Sequence, residues 1–221
     1  MTLPQKYGSY WAPVKVKICG ITSVDVALAS CEAGADALGF NFVSEARTRG
    51  RYVSPEVARE IIAQLPPFAM KVAVMADPTP DEIAEVLTFV DYVQLHGNEP
   101  PGLYSPFASR VIKVFRVAAD FDAQTVLQYP AAAYLVDARV PGSLGGTGAV
   151  CDWDAARRIV SLGKWVILAG GLTCENVAEA VRAVRPYAVD VASGVESAPG
   201  QKDLEKIKRF IQIAKTAYET V

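Results

Sequence analysis

The chain has 221 residues, 51% hydrophobic and 21% charged, enough to bury the core of one large domain. Its formal net charge of -2 argues against nucleic acid or a membrane surface as a partner, since both attract a basic face. No apolar run approaches the ~20 residues of a bilayer span, and four cysteines with no C-x-x-C pair and a single histidine argue against a structural zinc.

Residues 1–13, "MTLPQKYGSYWAP", lack the basic and apolar regions of a signal peptide and read as an extension before the first strand. The thiols are therefore expected to be reduced and the compartment cytoplasmic. From residue 14 to 221, short β-branched or aromatic runs alternate with helix-like segments. The predicted strands are 14–19, 37–42, 70–75, 92–97, 110–117, 133–138, 165–170 and 188–193. Between them, "SPEVAREIIAQL" opens a helix with Ser54 as N-cap and Pro55 at its first position. "DEIAEVLTFV" sets Ile83, Val86, Leu87 and Val90 on one face. Segments 99–108 and 122–129 are weakly patterned helices, Thr173 is the expected cap after "AGG", and Leu204, Ile207, Ile211 and Ala214 line one side of the last helix. Strict alternation implies parallel strands with right-handed crossovers. Eight such units predict an α/β fold, a single-domain (β/α)8 TIM barrel with its active site at the C-terminal strand ends. An open doubly wound sheet fits less well, because the first strand–helix turn carries no G-x-G-x-x-G.

Parallel strands buried on both faces usually read as continuous apolar runs. Here polar residues recur on one parity: Lys17 and Cys19 in the first strand, Gln94 and His96 in the fourth, Asp137 in the sixth and Asp190 in the eighth. Lys113 in the fifth is read the same way. Charges inside a closed barrel must be paired or functional. The first and last strands are neighbours in a closed ring, so Lys17 and Asp190 are expected to pair beneath the site. "ILAGGL" and "VASGVE" place Gly170, Gly171, Ser193 and Gly194 after strands seven and eight, where barrels cradle phosphate on backbone N–H groups.

The motifs "KICGIT", "GADALGFNF", "RYVSP", "VQLHGNEP", "VDARVPGSLGGTG", "ILAGGLTCENV" and "VRPYAVDVASGVES" together resemble those of the phosphoribosylanthranilate isomerases of tryptophan biosynthesis. The resemblance runs from about Val14 to the C-terminal helix. It implies an Amadori rearrangement of N-(5-phosphoribosyl)anthranilate to 1-(2-carboxyphenylamino)-1-deoxyribulose 5-phosphate, with no cofactor and no metal. It assigns the general base to Cys19 and the general acid to Asp137. Such an acid should hold its proton near neutrality, and such a thiol should be at least partly thiolate, with Lys17 as a source of help. The same resemblance assigns the anthranilate carboxylate to Arg51 and substrate contacts in the sixth loop to Gly145, Gly146 and Thr147, while Lys17, Asp190, Gln94 and His96 are expected to support the site. The loop "VSEARTRGR" departs from the family pattern by about three residues and adds Arg47 and Arg49, which read as a solvated basic loop. Cys31, Cys151 and Cys174 read as structural or surface thiols. The expected partner is a small phosphosugar, and the expected state a monomer or homodimer. A related aminoaldose isomerase of the histidine pathway would end its first strand in Asp rather than Cys19. An indoleglycerol-phosphate synthase would use a lysine acid near the mouth, and a silent phosphate-binding barrel has no need of Cys19 and Asp137.

Overall fold

The computed structural model describes residues 13–138 and 151–218. Gly145, Gly146 and Thr147, and the extension as far as residue 12, lie outside the described residues. Eight parallel strands close a barrel in chain order: β1 (Lys15–Cys19), β2 (Ala37–Asn41), β3 (Met70–Met75), β4 (Tyr92–Leu95), β5 (Val111–Val117), β6 (Ala133–Ala138), β7 (Val166–Leu168) and β8 (Ala188–Val191). The ring shuts where β1 pairs with β8, setting Lys17 opposite Asp190 and Ile18 opposite Val191.

Among the described residues six α-helices cover this ring: α1 (Val24–Glu32), α2 (Pro55–Ile62), α3 (Pro80–Val86), α4 (Trp153–Ser161), α5 (Val177–Val184) and α6 (Leu204–Lys215). None is long and apolar enough to cross a membrane. Ser54 caps α2 as expected, accepting from the Val57 N–H at 3.4 Å, with Pro55 in the first turn. Helix α3 opens with a reciprocal box: Thr79 Oγ1 accepts from the Glu82 N–H and Glu82 accepts from the Thr79 N–H at 2.7 Å.

Three helix expectations change. The segments after β4 and β5 are 3-10 turns, Ser105–Arg110 and Ala123–Gln128, because Pro100, Pro101, Pro106 and Pro130 break the chain into pieces too short for an α-helix. Thr173 organises the turn before α5 rather than capping it, its hydroxyl accepting from the Glu175 N–H while Asn176 stands at the helix start. In α6, Ile207, Phe210, Ile211 and Ala214 are buried, but Leu204 faces solvent. Strands four, seven and eight also end two residues early, at Leu95, Leu168 and Val191, where the chain turns into the loops of the mouth.

Apolar side chains separate by parity. Val72, Ile112, Val114, Leu135, Ile167 and Ala188 fill the inside of the barrel. Val16, Ile18, Val189 and Val191 face outward into the layer that contains Ile207 and Phe210. Lys113 falls on the outward parity, alongside Val111, and this overturns its assignment to the interior. It is buried beneath the loop after β4, where Nζ meets Glu99 Oε2 at 2.5 Å and the Gly97 carbonyl at 3.0 Å. Glu99 in turn accepts from the N–H groups of Asp77 (2.8 Å) and Gly97 (2.9 Å), so one buried carboxylate ties the third and fourth loops to β5. An ionic anchor stands here where a long helix would otherwise cover the strands. A short hairpin, β9 (Glu196–Ala198) and β10 (Gln201–Lys202), follows β8 and precedes α6.

Candidate active site

At the C-terminal ends of the strands lies a cavity of about 410 Å³. Cys19 from β1, Asn41 from β2, Gln94 and His96 from β4 and its loop, Asp137 from β6 and Asp190 from β8 all line it. The polar parity read from the strands thus converges on one chamber. Arg49 and Arg51 close it on the side of the loop after β2. Gly170, Gly171, Ser193 and Gly194 are not among its lining residues and lie on the adjoining loops.

Beneath Cys19, Lys17 Nζ donates to Asp190 Oδ1 at 2.8 Å, with both side chains buried, which is the pair expected across the ring closure. Burial alone would lower the lysine, but Asp190 and Cys19 outweigh it and hold the ammonium above its ordinary value. Burial pushes the Cys19 thiol up, and Asp190 adds to the rise, while Lys17 and Lys202 pull in the other direction without cancelling it. Lys17 therefore does reach the sulfur, but burial outweighs its pull and leaves the thiol above its ordinary value. Room for both side chains comes from β2: a Cβ at Gly39 would lie 2.8 Å from Cys19 Sγ and 2.9 Å from Lys17 Nζ.

On the far side of the barrel, Asp137 is buried and its Oδ1 accepts from the Ala138 N–H at 2.8 Å. Gly170, with φ +84°, makes this seat possible, since a Cβ there would come within 2.8 Å of both Oδ1 and that nitrogen. Cys151 lies behind the same glycine, and its thiol is pushed up to about 12 by burial first and by Asp137 second. Gly171 also has positive φ, and its carbonyl accepts from Asn176 Nδ2 at 2.9 Å. Gly194 packs directly on the Leu172 carbonyl, so the loops after β7 and β8 touch backbone to backbone.

The arginine loop forms a 3-10 turn, Ser44–Arg49, ended by Gly50 in the left-handed region. Arg47 stacks its guanidinium over Tyr52 at 3.6 Å, while Arg49 turns toward the cavity instead of joining a solvated loop. Arg51 is buried and gives Nε and one terminal nitrogen to the two oxygens of Glu196, at 2.9 and 2.8 Å. Sequence reading missed Glu196 and its second cation, Lys202, which donates to Glu196 Oε1 at 2.8 Å. An acid inside "SGVES", just past a glycine turn at the mouth, was the available signal. Gln94 Oε1 is buried without a hydrogen-bond partner among the described residues, while Gln94 Nε2 and His96 Nδ1 approach to 3.4 Å.

A closed parallel barrel with its polar side chains gathered at the C-terminal strand ends is the architecture of a (β/α)8-barrel enzyme. The family model described as N-(5'phosphoribosyl)anthranilate (PRA) isomerase matches residues 16–213. The N-(5'-phosphoribosyl)anthranilate isomerase of Geobacter sulfurreducens is 49% identical over 204 residues, covering 91% of this chain and 98% of the relative. The crystal structure of the phosphoribosyl anthranilate isomerase of Thermotoga maritima superposes with a TM-score of 0.82 at 43% identity, covering 91% and 98%. A phosphoribosyl anthranilate isomerase in complex with reduced 1-(o-carboxyphenylamino)-1-deoxyribulose 5-phosphate superposes with a TM-score of 0.79 at 42% identity, covering 91% and 98%. This chain belongs to the phosphoribosylanthranilate isomerase family.

Proposed function

We propose that the protein converts N-(5-phosphoribosyl)anthranilate to 1-(2-carboxyphenylamino)-1-deoxyribulose 5-phosphate, an aldose–ketose isomerisation. The observation that carries this reading is that Cys19 and Asp137 line one cavity from separate strands, in a chain of this family. Asp137 donates a proton to the furanose ring oxygen, the C1′–O bond breaks, and the nitrogen lone pair forms a Schiff base. Cys19, once ionised, removes the C2′ proton; the C2′–H electron pair becomes the C1′=C2′ bond and the C1′=N pair returns to nitrogen, giving an enolamine. Tautomerisation of that enol yields the ketone.

Lys17 supports the thiolate from below, with Asp190 fixing the ammonium in place. Arg51 receives the anthranilate carboxylate, and the backbone N–H groups around Gly170, Gly171, Ser193 and Gly194 receive the phosphate. Gln94 and His96 line the chamber between the two catalytic groups and act as polar supports.

The test follows the loss of substrate fluorescence with wild type, Cys19→Ser and Asp137→Asn. Wild type should turn over, and each variant should lose at least about 100-fold in kcat, the usual scale of one general acid or base. An inactive wild type, or two variants with near-full activity, would overturn the reading.

A further inference from the structure

The basic loop after β2 and the β9–β10 hairpin are far apart in sequence but locked together in space. Gly50 and Gly200, both at positive φ, meet backbone to backbone: a Cβ on Gly50 would lie 3.4 Å from the Gly200 Cα. A side chain on either glycine would push the two segments apart. Just below this contact runs a chain of charges. Arg51 holds both oxygens of Glu196. Lys202 Nζ donates to Glu196 Oε1 and to the Ala192 carbonyl, each at 2.8 Å, and Lys206 Nζ donates to the Glu196 carbonyl at 2.8 Å. The Arg51, Glu196 and Lys202 side chains are all more than nine-tenths buried.

Two consequences follow from elementary electrostatics. An arginine held at two nitrogens by a carboxylate keeps one plane and one direction, so its rotamer entropy is spent in folding and not on ligand binding. A lone Arg–Glu pair, however, is formally neutral and attracts a second carboxylate poorly. Lys202 changes that balance by adding a second cation against the same carboxylate. Lys202 itself makes no contact with the cavity, since it is not among the lining residues, whereas Arg51 and Ala192 are.

We propose that Glu196 and Lys202 are positioning residues that aim Arg51 at the aryl carboxylate of the ligand and keep its surroundings electropositive. The proposal rests on the reading of Arg51 as the carboxylate's receptor. Glu196 sets the direction of the fork. Lys202 restores the charge that Glu196 removes. The glycine contact holds the hairpin that carries both against the loop that carries Arg51.

The experiment is calorimetric titration of wild type, Glu196→Gln, Glu196→Asp, Lys202→Met and Lys202→Arg with two probes. One is reduced 1-(o-carboxyphenylamino)-1-deoxyribulose 5-phosphate, and the other is inorganic phosphate. Turnover of N-(5-phosphoribosyl)anthranilate is measured in parallel. Glu196→Gln, Glu196→Asp and Lys202→Met should weaken the carboxylate probe by at least about tenfold, with inorganic phosphate unaffected, and in the two Glu196 variants the loss of turnover should fall on KM more than on kcat. Lys202→Arg, which keeps the charge, should bind the carboxylate probe within about threefold of wild type. Equal weakening of both probes, or no weakening of either, overturns the proposal. So does a Lys202→Arg variant as weak as Lys202→Met. Glu196→Asp and Lys202→Arg keep every formal charge and guard against a variant that merely fails to fold. Absence of turnover in wild type would count against the function proposed above, whereas the probe ratio judges the role of Glu196 and Lys202 by itself.

Discussion

Glu99 has no solvent to fall back on: its side chain is fully buried and its charge is answered by Lys113 at 2.5 Å. Glu99→Gln removes that answer and leaves a buried ammonium, an error that costs about 3–5 kcal/mol. Urea unfolding should show a lower midpoint with an unchanged slope. At Cys19 the expectation concerns rate rather than stability. Burial, against the pull of Lys17, holds the thiol above its ordinary pKa, so the thiolate fraction grows only at alkaline pH. Alkylation of Cys19 by iodoacetamide, and kcat/KM itself, should still be climbing above about pH 8.5, where a free thiol is half ionised. A plateau in both by pH 7 would contradict this. Individual residues were legible where strand parity spoke clearly. Lys17, Cys19, Asp137 and Asp190 all point inward because the alternate positions in their strands are aliphatic. "RVIKVFRV" is apolar on both parities, so nothing in it says that Ile112 and Val114, and not Lys113, face the barrel interior. Glu196 was signalled only by its place inside "SGVES" and Lys202 not at all, because their partners come from distant turns and a hairpin with no periodicity to read.

Among the elements, β2 carries the tightest constraint on the site. Cys19 and Gly39 are register partners, and the missing side chain is the space the thiol and Lys17 use. Gly39→Ala should cost about 1–3 kcal/mol through overpacking. Its larger effect should be on turnover, because the methyl group can be accommodated only by moving Sγ or Nζ. Thermal melts read beside initial rates separate the two effects. At the opposite extreme, Thr79→Ala removes one half of the α3 capping box and should cost about 1 kcal/mol with no change in turnover. Existence of the elements was largely readable from alternation, caps and glycines. Their character between β4 and β6 was not, since weak apolar patterning could not distinguish short 3-10 turns from α-helices. Proline placement was the clue that outweighed it.

For the molecule as a whole, stability at low pH draws on two of its buried carboxylates, Glu99 and Glu196. Burial alone would raise Glu99 and Glu196, but Lys113 in the first case and Arg51 with Lys202 in the second more than reverse it, so both titrate below the ordinary value. A lowered carboxyl pKa adds stability that is complete above the unfolded value of about 4.3 and is lost as pH falls through the folded one. Wild type should therefore lose unfolding free energy between about pH 5 and pH 3 more steeply than Glu99→Gln, whose curve begins lower and runs flatter. Equal slopes would remove Glu99 from the acid response. The closed ring itself was the most legible feature, because eight strand–helix units leave few other architectures. Closure also has a consequence in time. Lys17 belongs to the first strand and Asp190 to the last, and they meet only across the seam. A nascent chain carries Cys19 from the start, but the carboxylate that fixes the neighbouring ammonium arrives only after the eighth strand has been synthesised. The chamber is thus incomplete through most of the chain's synthesis, and it is finished when the first and eighth strands are joined.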